Sequence, residues 1–199
     1  MNIKVFIRSP LLILVFLCFM ALGCDNPPHT IKATTSLGAE YKAPHIVVGI
    51  GTADSEHQYW PETSPVERSG YELEAASLIS YMGWTSSQIK QTSPATRQYD
   101  CHGLTLDDGR TWIDNQYAED IARHYGYKPI SQCNPSTPQP GDIVIYRDSS
   151  GKVTHSGKVI SVVGGNIKVH SKWGRCPDYE HDVNVVPRNY GTPSYYRRC

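Results

Sequence analysis

No charge of either sign dominates this chain: lysine plus arginine and aspartate plus glutamate both number 19, and no polybasic run exists outside the first ten residues. Without a basic stripe there is no electrostatic footprint for a phosphate backbone, which argues against nucleic acid as a partner. Long apolar runs are equally scarce. The run from Leu11 to Leu22 falls short of the roughly 20 residues a spanning helix requires. Internal repeats and long low-complexity segments are missing. Gly49-x-Gly51 is half of a dinucleotide fingerprint, but no third glycine and no helical pattern follow it. Asp107-Asp108-Gly109 lacks the alternating ligands and terminal glutamate of a calcium loop. His155, His170 and Cys176 are good zinc-ligand types, yet their spacing is neither that of a finger nor that of an HExxH helix. The reading calls for no cofactor and no metal.

What is present begins with a leader. Lys4 and Arg8 form a positive start, an apolar stretch follows, and Ala21-Leu22-Gly23-Cys24 closes it with small residues, the pattern of an export signal over 1–23. Its end resembles a bacterial lipobox, which would make Cys24 the lipidated first mature residue, and Asp25 behind it resembles an inner-membrane retention signal. Ala21-x-Gly23 suits an ordinary signal peptidase equally, and only lipidation would tether the protein to a membrane. Residues 24–44, rich in Thr, Ser, Pro and Ala, read as a tether. The remainder, 45–199, has the size of one domain with a sizeable core, taken as a monomer. The expected location is the periplasm or cell envelope, with a membrane anchor if Cys24 carries lipid.

Export implies an oxidising compartment, so the six cysteines matter. Cys18 belongs to the leader and Cys24 to the lipid site, leaving Cys101, Cys133, Cys176 and Cys199. If Cys101 is a nucleophile it stays reduced, and the other three hold at most one disulfide. All four pairing structurally is the competing reading.

Periodicity predicts helices before strands. His45 to Gly51 is a short β-branched run, and Thr52 to Pro65 reads as loop. Leu73, Ala76, Ser77, Ile79 and Ser80, continued by Tyr81, recur at helical spacing between Ser69 and Trp84. A second helix is expected to start near Cys101 and break at Gly109, and a third to run from about Asp114 to Tyr125 with Ile113, Tyr117, Ile121 and Tyr125 every four residues. Strands are expected at 143–146, 153–163, 166–171, 183–186 and 194–198, with Gly164-Gly165 as a hairpin turn. Helices followed by a run of antiparallel strands give an α+β class with a sheet of about five strands.

The chemistry centres on Tyr99-Asp100-Cys101-His102-Gly103. A thiol becomes a strong nucleophile as thiolate, which a nearby imidazole or a helix N-terminus favours. Asp100 is a plausible N-cap, which would place Cys101 at the positive end of a helix, with its backbone N–H as an oxyanion donor and Gly103 leaving room for substrate. His155, sharing a strand face with Gly157 and Val159, is the candidate base. Across the hairpin, His170 could fix its tautomer as a third member. Alternation, however, groups His170 with Lys168 rather than with Ile167 and Val169. Trp173-Gly174, Tyr179 and His181 either line a groove or pack the sheet.

Asp100-Cys101-x-Gly103, then Pro140-Gly141-Asp142-Ile143-Val144-Ile145-Tyr146, then His155-x-Gly157, then Val169-His170 resembles the NlpC-type papain-like family of bacterial cell-wall cysteine peptidases, over roughly Tyr99 to Trp173. The resemblance implies a papain-like fold with N-terminal helices packed on the sheet. It also implies Cys101 as nucleophile, His155 as base, His170 as the polar third residue, and peptidoglycan stem peptides as substrate. His102 stands where that family usually has serine, and Lys158 where it usually has an aliphatic residue. The expected reaction is attack by Cys101 on an amide carbonyl, protonation of the leaving amine by His155, and hydrolysis of the thioester. Two alternatives stand beside it: a tethered binding protein without turnover, and a thiol amidase or transferase acting on a non-wall amide.

Overall fold

The computed structural model describes residues 62–199. The leader, the tether with Cys24, and the run from His45 to Gly51 lie outside the described residues.

Helix α1 (Pro65–Met82) starts where its sequence says a helix should. Proline occupies its first turn, and Ser64 and Glu67 form a reciprocal capping box; Gly83 at φ 68° ends it in the left-handed conformation glycine tolerates. The face it buries is not the one the spacing predicts. Ala75 and Leu78 are enclosed, with Ile79 and Met82 packed beside them, whereas Leu73 is 70 % exposed and Tyr81 66 % exposed. Helix α2 (Cys101–Leu106) and helix α3 (Asn115–His124) follow close to their expected positions. Ile113 and Ile121 are buried, and Tyr117 and Tyr125 pack against them.

Seven strands form one sheet: β1 (Ile89–Ser93), β2 (Tyr127–Pro129), β3 (Ile143–Arg147), β4 (Val153–Val163), β5 (Asn166–Lys172), β6 (Asp178–Asp182) and β7 (Thr192–Arg198). Their order is β1-β6-β5-β4-β3-β7-β2, and every neighbouring pair is antiparallel. This corrects the expected papain-like arrangement of helices on about five strands: the described part is dominated by its sheet. Three strands were invisible to periodicity. β1 is a polar edge strand with a single buried residue, Ile89, β2 is only three residues long, Tyr-Lys-Pro, and β6 reads Asp-Tyr-Glu-His-Asp. The acids of β6 are accommodated because β5 supplies cations: Lys168 lies 3.0 Å from Asp182, and Lys172 3.6 Å from Asp178. The run Val183–Val186, expected as a strand, instead fills the core from a turn, with Val183, Val185 and Val186 all buried.

The β4–β5 hairpin forms as expected, with Gly164 and Gly165 at φ 57° and 86°. A two-residue turn with both central residues at positive φ matches the right-handed twist of its strands.

Each sheet face buries its own cluster. Val144, Tyr146, Val169, Trp173, Tyr179 and Tyr190 pack with Ala75 and Leu78 of α1. Ile143, Ile145 and Val153 pack on the opposite face with Leu106, Ile113, Ala118 and Ile121 around α2 and α3. A disulfide joins Cys133 to Cys199, stapling the segment after β2 to the chain's last residue, and Cys176 is buried.

Candidate functional site

Asp100 caps α2 as its sequence suggests. Its Oδ1 accepts from Gly103 N at 2.7 Å and from Ile113 N at 3.1 Å, tying the helix start to the loop before α3. Burial drives its carboxyl up to about 7, against the lowering effect of those N–H groups. Cys101 is the first residue of the helix and is fully enclosed, backbone N–H included. Its sulfur is not a free thiol: Cys101 is disulfide-bonded. Gly103 leaves no room for substrate. A Cβ there would stand 1.6 Å from the carbonyl oxygen of Thr111, so the glycine exists to let that backbone pass.

His102 is a fastener. Its Nε2–H donates to Asn115 Oδ1 at 2.9 Å, and its Nδ1 accepts from Ser156 Oγ at 2.8 Å, the pairing a neutral imidazole requires. Burial lowers its pKa to about 4. The network joins α2, α3 and β4, and Thr105 adds a bond to the Cys101 carbonyl at 2.7 Å. Ser156 therefore points toward α2.

Because side chains alternate along a strand, His155 points the other way. It pairs across the ladder with Tyr146, whose ring centre is 5.2 Å away, and stacks on Tyr190 at 4.1 Å. It is fully buried, and neither ring nitrogen has a hydrogen-bond partner. Burial first, then His181 and His102, holds its pKa well below the ordinary histidine value. Gly157 shares this face: a Cβ on it would stand 2.4 Å from Val169 Cγ1.

His170 lies directly opposite Lys158 in the β4–β5 register, and Lys158 reaches Asp108 behind α2 at 2.5 Å. His170 thus belongs to the α2 face, where its Nε2 meets Thr92 Oγ1 of β1 at 3.1 Å. The expected triad is not brought together. A central strand separates His155 from the helix that carries Cys101, and His155 and His170 occupy opposite faces. The same division keeps His155 and His170 from sharing a metal ion.

Two groupings escaped the sequence reading. Ser171 Oγ donates to His181 Nε2 at 2.7 Å, and His181 Nδ1–H donates to the Asp182 carbonyl at 2.9 Å. Hydroxyl, imidazole and orienting acceptor stand in the order a nucleophile and base would. Both residues are fully enclosed beside Trp173, so the pair ties β5 to β6 within the core. The alternation that puts Ser171 and His181 on His155's face was readable once β6 was known to be a strand. On the other face, Lys172 is fully buried, donating to the Cys176 carbonyl at 2.6 Å. Its ammonium lies 3.6 Å from Asp178 and 4.9 Å from the centre of the Tyr99 ring, and Tyr99 Oη donates to Asp178 Oδ2 at 2.9 Å. Burial pulls the lysine down to about 8, opposed chiefly by Asp178. The phenol satisfies Asp178 Oδ2, while Asp178 Oδ1 is buried without a hydrogen bond and faces the ammonium through the ion pair alone. Trp173, Tyr179 and His181 are core residues.

No curated protein and no solved structure matches this chain. A family model described as a domain of unknown function, DUF7689, matches residues 90–198, which span more than half of the chain and include all seven strands but the first residue of β1. By that match the chain belongs to the DUF7689 family.

Proposed function

We propose that this protein is an exported, disulfide-stapled binding domain of the cell envelope that has no hydrolytic turnover. The observation that carries the reading is the placement of His155: it faces away from α2, with its ring walled in by Tyr146 and Tyr190, so it has no path to the sulfur of Cys101. A general base must come within hydrogen-bond reach of the proton it takes. The disulfide on Cys101 removes the nucleophile as well. The Cys133–Cys199 bond supports an oxidising compartment, since such bonds persist outside the reducing cytosol. The stem peptide of peptidoglycan, which the motif resemblance suggests, is the ligand to test first.

A cysteine amide hydrolase is the second reading, favoured by the Asp100-capped helix that begins at Cys101. It requires a reduced Cys101 and a base other than His155.

The test uses the exported full chain and its Cys101→Ala variant, incubated with purified peptidoglycan and scored both for released peptides and for co-sedimentation. Sedimentation with the wall and no released peptide from either protein is the expected result. Peptide release by the wild type alone would replace this reading with the hydrolase.

A further inference from the structure

We infer that Lys172 and Asp178 are a self-modifying pair, which the folded chain joins by an amide bond between Lys172 Nζ and Asp178 Cγ. No other molecule takes part, so the inference is independent of the export and binding readings above. The two residues face each other in the β5–β6 register, and both side chains are enclosed, at 0 % and 2 % exposure. Nζ stands 3.6 Å from Asp178 Oδ1, which is buried and has no hydrogen bond. The other carboxyl oxygen is held: Oδ2 accepts from Tyr99 Oη at 2.9 Å. The Tyr99 ring covers the nitrogen at 4.9 Å, and the Cys176 carbonyl fixes it from the turn at 2.6 Å. An amine, an acyl carbon and a donor on the acyl oxygen are thus confined together in the core.

A buried ion pair is costly, because both charges lose their hydration. Burial disfavours the ammonium, which is drawn down to about 8, and a proton passed from Nζ to Oδ1 leaves a neutral amine beside a neutral acid. The nitrogen lone pair then attacks Cγ. As the C–N bond forms, the carbonyl electron pair moves onto Oδ2, where the Tyr99 hydroxyl stabilises it as an oxyanion donor. The carbonyl re-forms, the Cγ–Oδ1 bond breaks, and Oδ1 leaves as water with the proton it took and a second one from the nitrogen. One C–N bond replaces one C–O bond, and no oxidant, reductant or co-reactant enters. The amide keeps one N–H for the Cys176 carbonyl. Bulk water opposes such a condensation; here water is excluded, and well-oriented groups reach effective molarities of about 10⁵ M.

The experiment is tryptic digestion of the purified full chain, after reduction and alkylation of every cysteine so that no disulfide mimics the link, followed by tandem mass spectrometry. A parallel digest without reductant checks that Cys133–Cys199 is formed. Trypsin cuts an unlinked chain after Lys168, Lys172, Arg175 and Arg188. The expected species is residues 169–175, uncut at Lys172, joined to residues 176–188 with the loss of one water. Its fragments read two N-termini, Val169 and Cys176, which separates it from an uncut 169–188 peptide of equal mass. It should account for nearly all of that region in the wild type. Lys172→Met and Asp178→Ala should abolish it, and Tyr99→Phe should slow its appearance by about 10²-fold in a pulse-chase. Residues 169–172 and 176–188 recovered separately at their encoded masses, from a wild type with Cys133–Cys199 intact, would overturn the inference, as would a link that persists in Asp178→Ala. The wild-type digest decides alone, so a variant that fails to fold leaves the test standing.

Discussion

At the scale of single residues, the fold encloses three imidazoles, and each is held neutral. Burial lowers His102 and His181 to about 4 and His155 well below its ordinary value. A histidine whose folded pKa is depressed contributes stability that is complete above the unfolded value near 6.5 and is lost as pH falls from there toward the folded value. Asp100 works in the opposite direction. Its carboxyl is raised to about 7, so its contribution is complete below the unfolded value near 3.8 and lost as pH rises toward 7. Three groups against one leave a net slope of about 3 kcal/mol per pH unit between pH 6.5 and 4. Denaturant midpoints measured through that window should fall steeply with acid. His155→Phe is the discriminating variant, since no hydrogen bond of the ring is lost with the nitrogens. We expect stability near pH 7 to stay within about 1 kcal/mol and the acid slope to drop by about 1.4 kcal/mol per pH unit. An unchanged slope would mean that His155 does not titrate with unfolding.

Two elements depend on single positions that the sequence marks plainly. Helix α2 has six residues and leans on Asp100, whose carboxylate satisfies one N–H of the helix and one of the following loop. Asp100→Ala should cost about 2 kcal/mol, the upper end for a lost cap, and Asp100→Asn should recover most of it because the amide oxygen still accepts. Chemical denaturation of the pair checks this. Strand β4 carries Gly157 where β5 crosses closely, and an alanine there would meet Val169 Cγ1 at 2.4 Å and the His170 carbonyl at 2.9 Å. Gly157→Ala should therefore lose about 3 kcal/mol through overpacking, visible as a lowered melting temperature. The glycine was legible as part of the His155-x-Gly157 motif, but its reason is contact between strands, with no substrate involved. The hairpin at Gly164-Gly165, the helix starts near Cys101 and Asp114, and strand β4 could all be read from turn chemistry and period. β6 could not, because its charges look solvent-facing until Lys168 and Lys172 of β5 are set beside them.

For the whole molecule, the decisive feature is covalent and topological. The Cys133–Cys199 bond closes a loop with a sequence separation of 66, for which loop-closure entropy gives about 4 kcal/mol at 25 °C. The Cys133→Ser, Cys199→Ser double variant should lose a stabilisation of that order in denaturant titration. Thiol counting offers an independent check on the assembled fold. Cys176 is only 2 % exposed, so it should take up no iodoacetamide while the protein is native and become labelled once the chain is unfolded without reductant. Uptake at Cys101 in the native state would contradict the disulfide.

The sequence by itself determined the helix boundaries near the motifs, most of the strands between residues 143 and 198, and the capping of α2 by Asp100, because caps, glycine turns and period are local properties of the chain. It also placed Cys101, His155 and His170 at spacings compatible with a triad. Only the tertiary structure decided which way they face. A strand turns each successive side chain to the opposite side of its sheet, so a single step from Ser156 to His155 moves a residue from the α2 layer to the layer of Trp173 and Tyr190. Which face α2 covers is set by the packing of Leu106, Ile113 and Ile121 against Ile143 and Ile145, contacts between distant parts of the chain that local spacing does not encode.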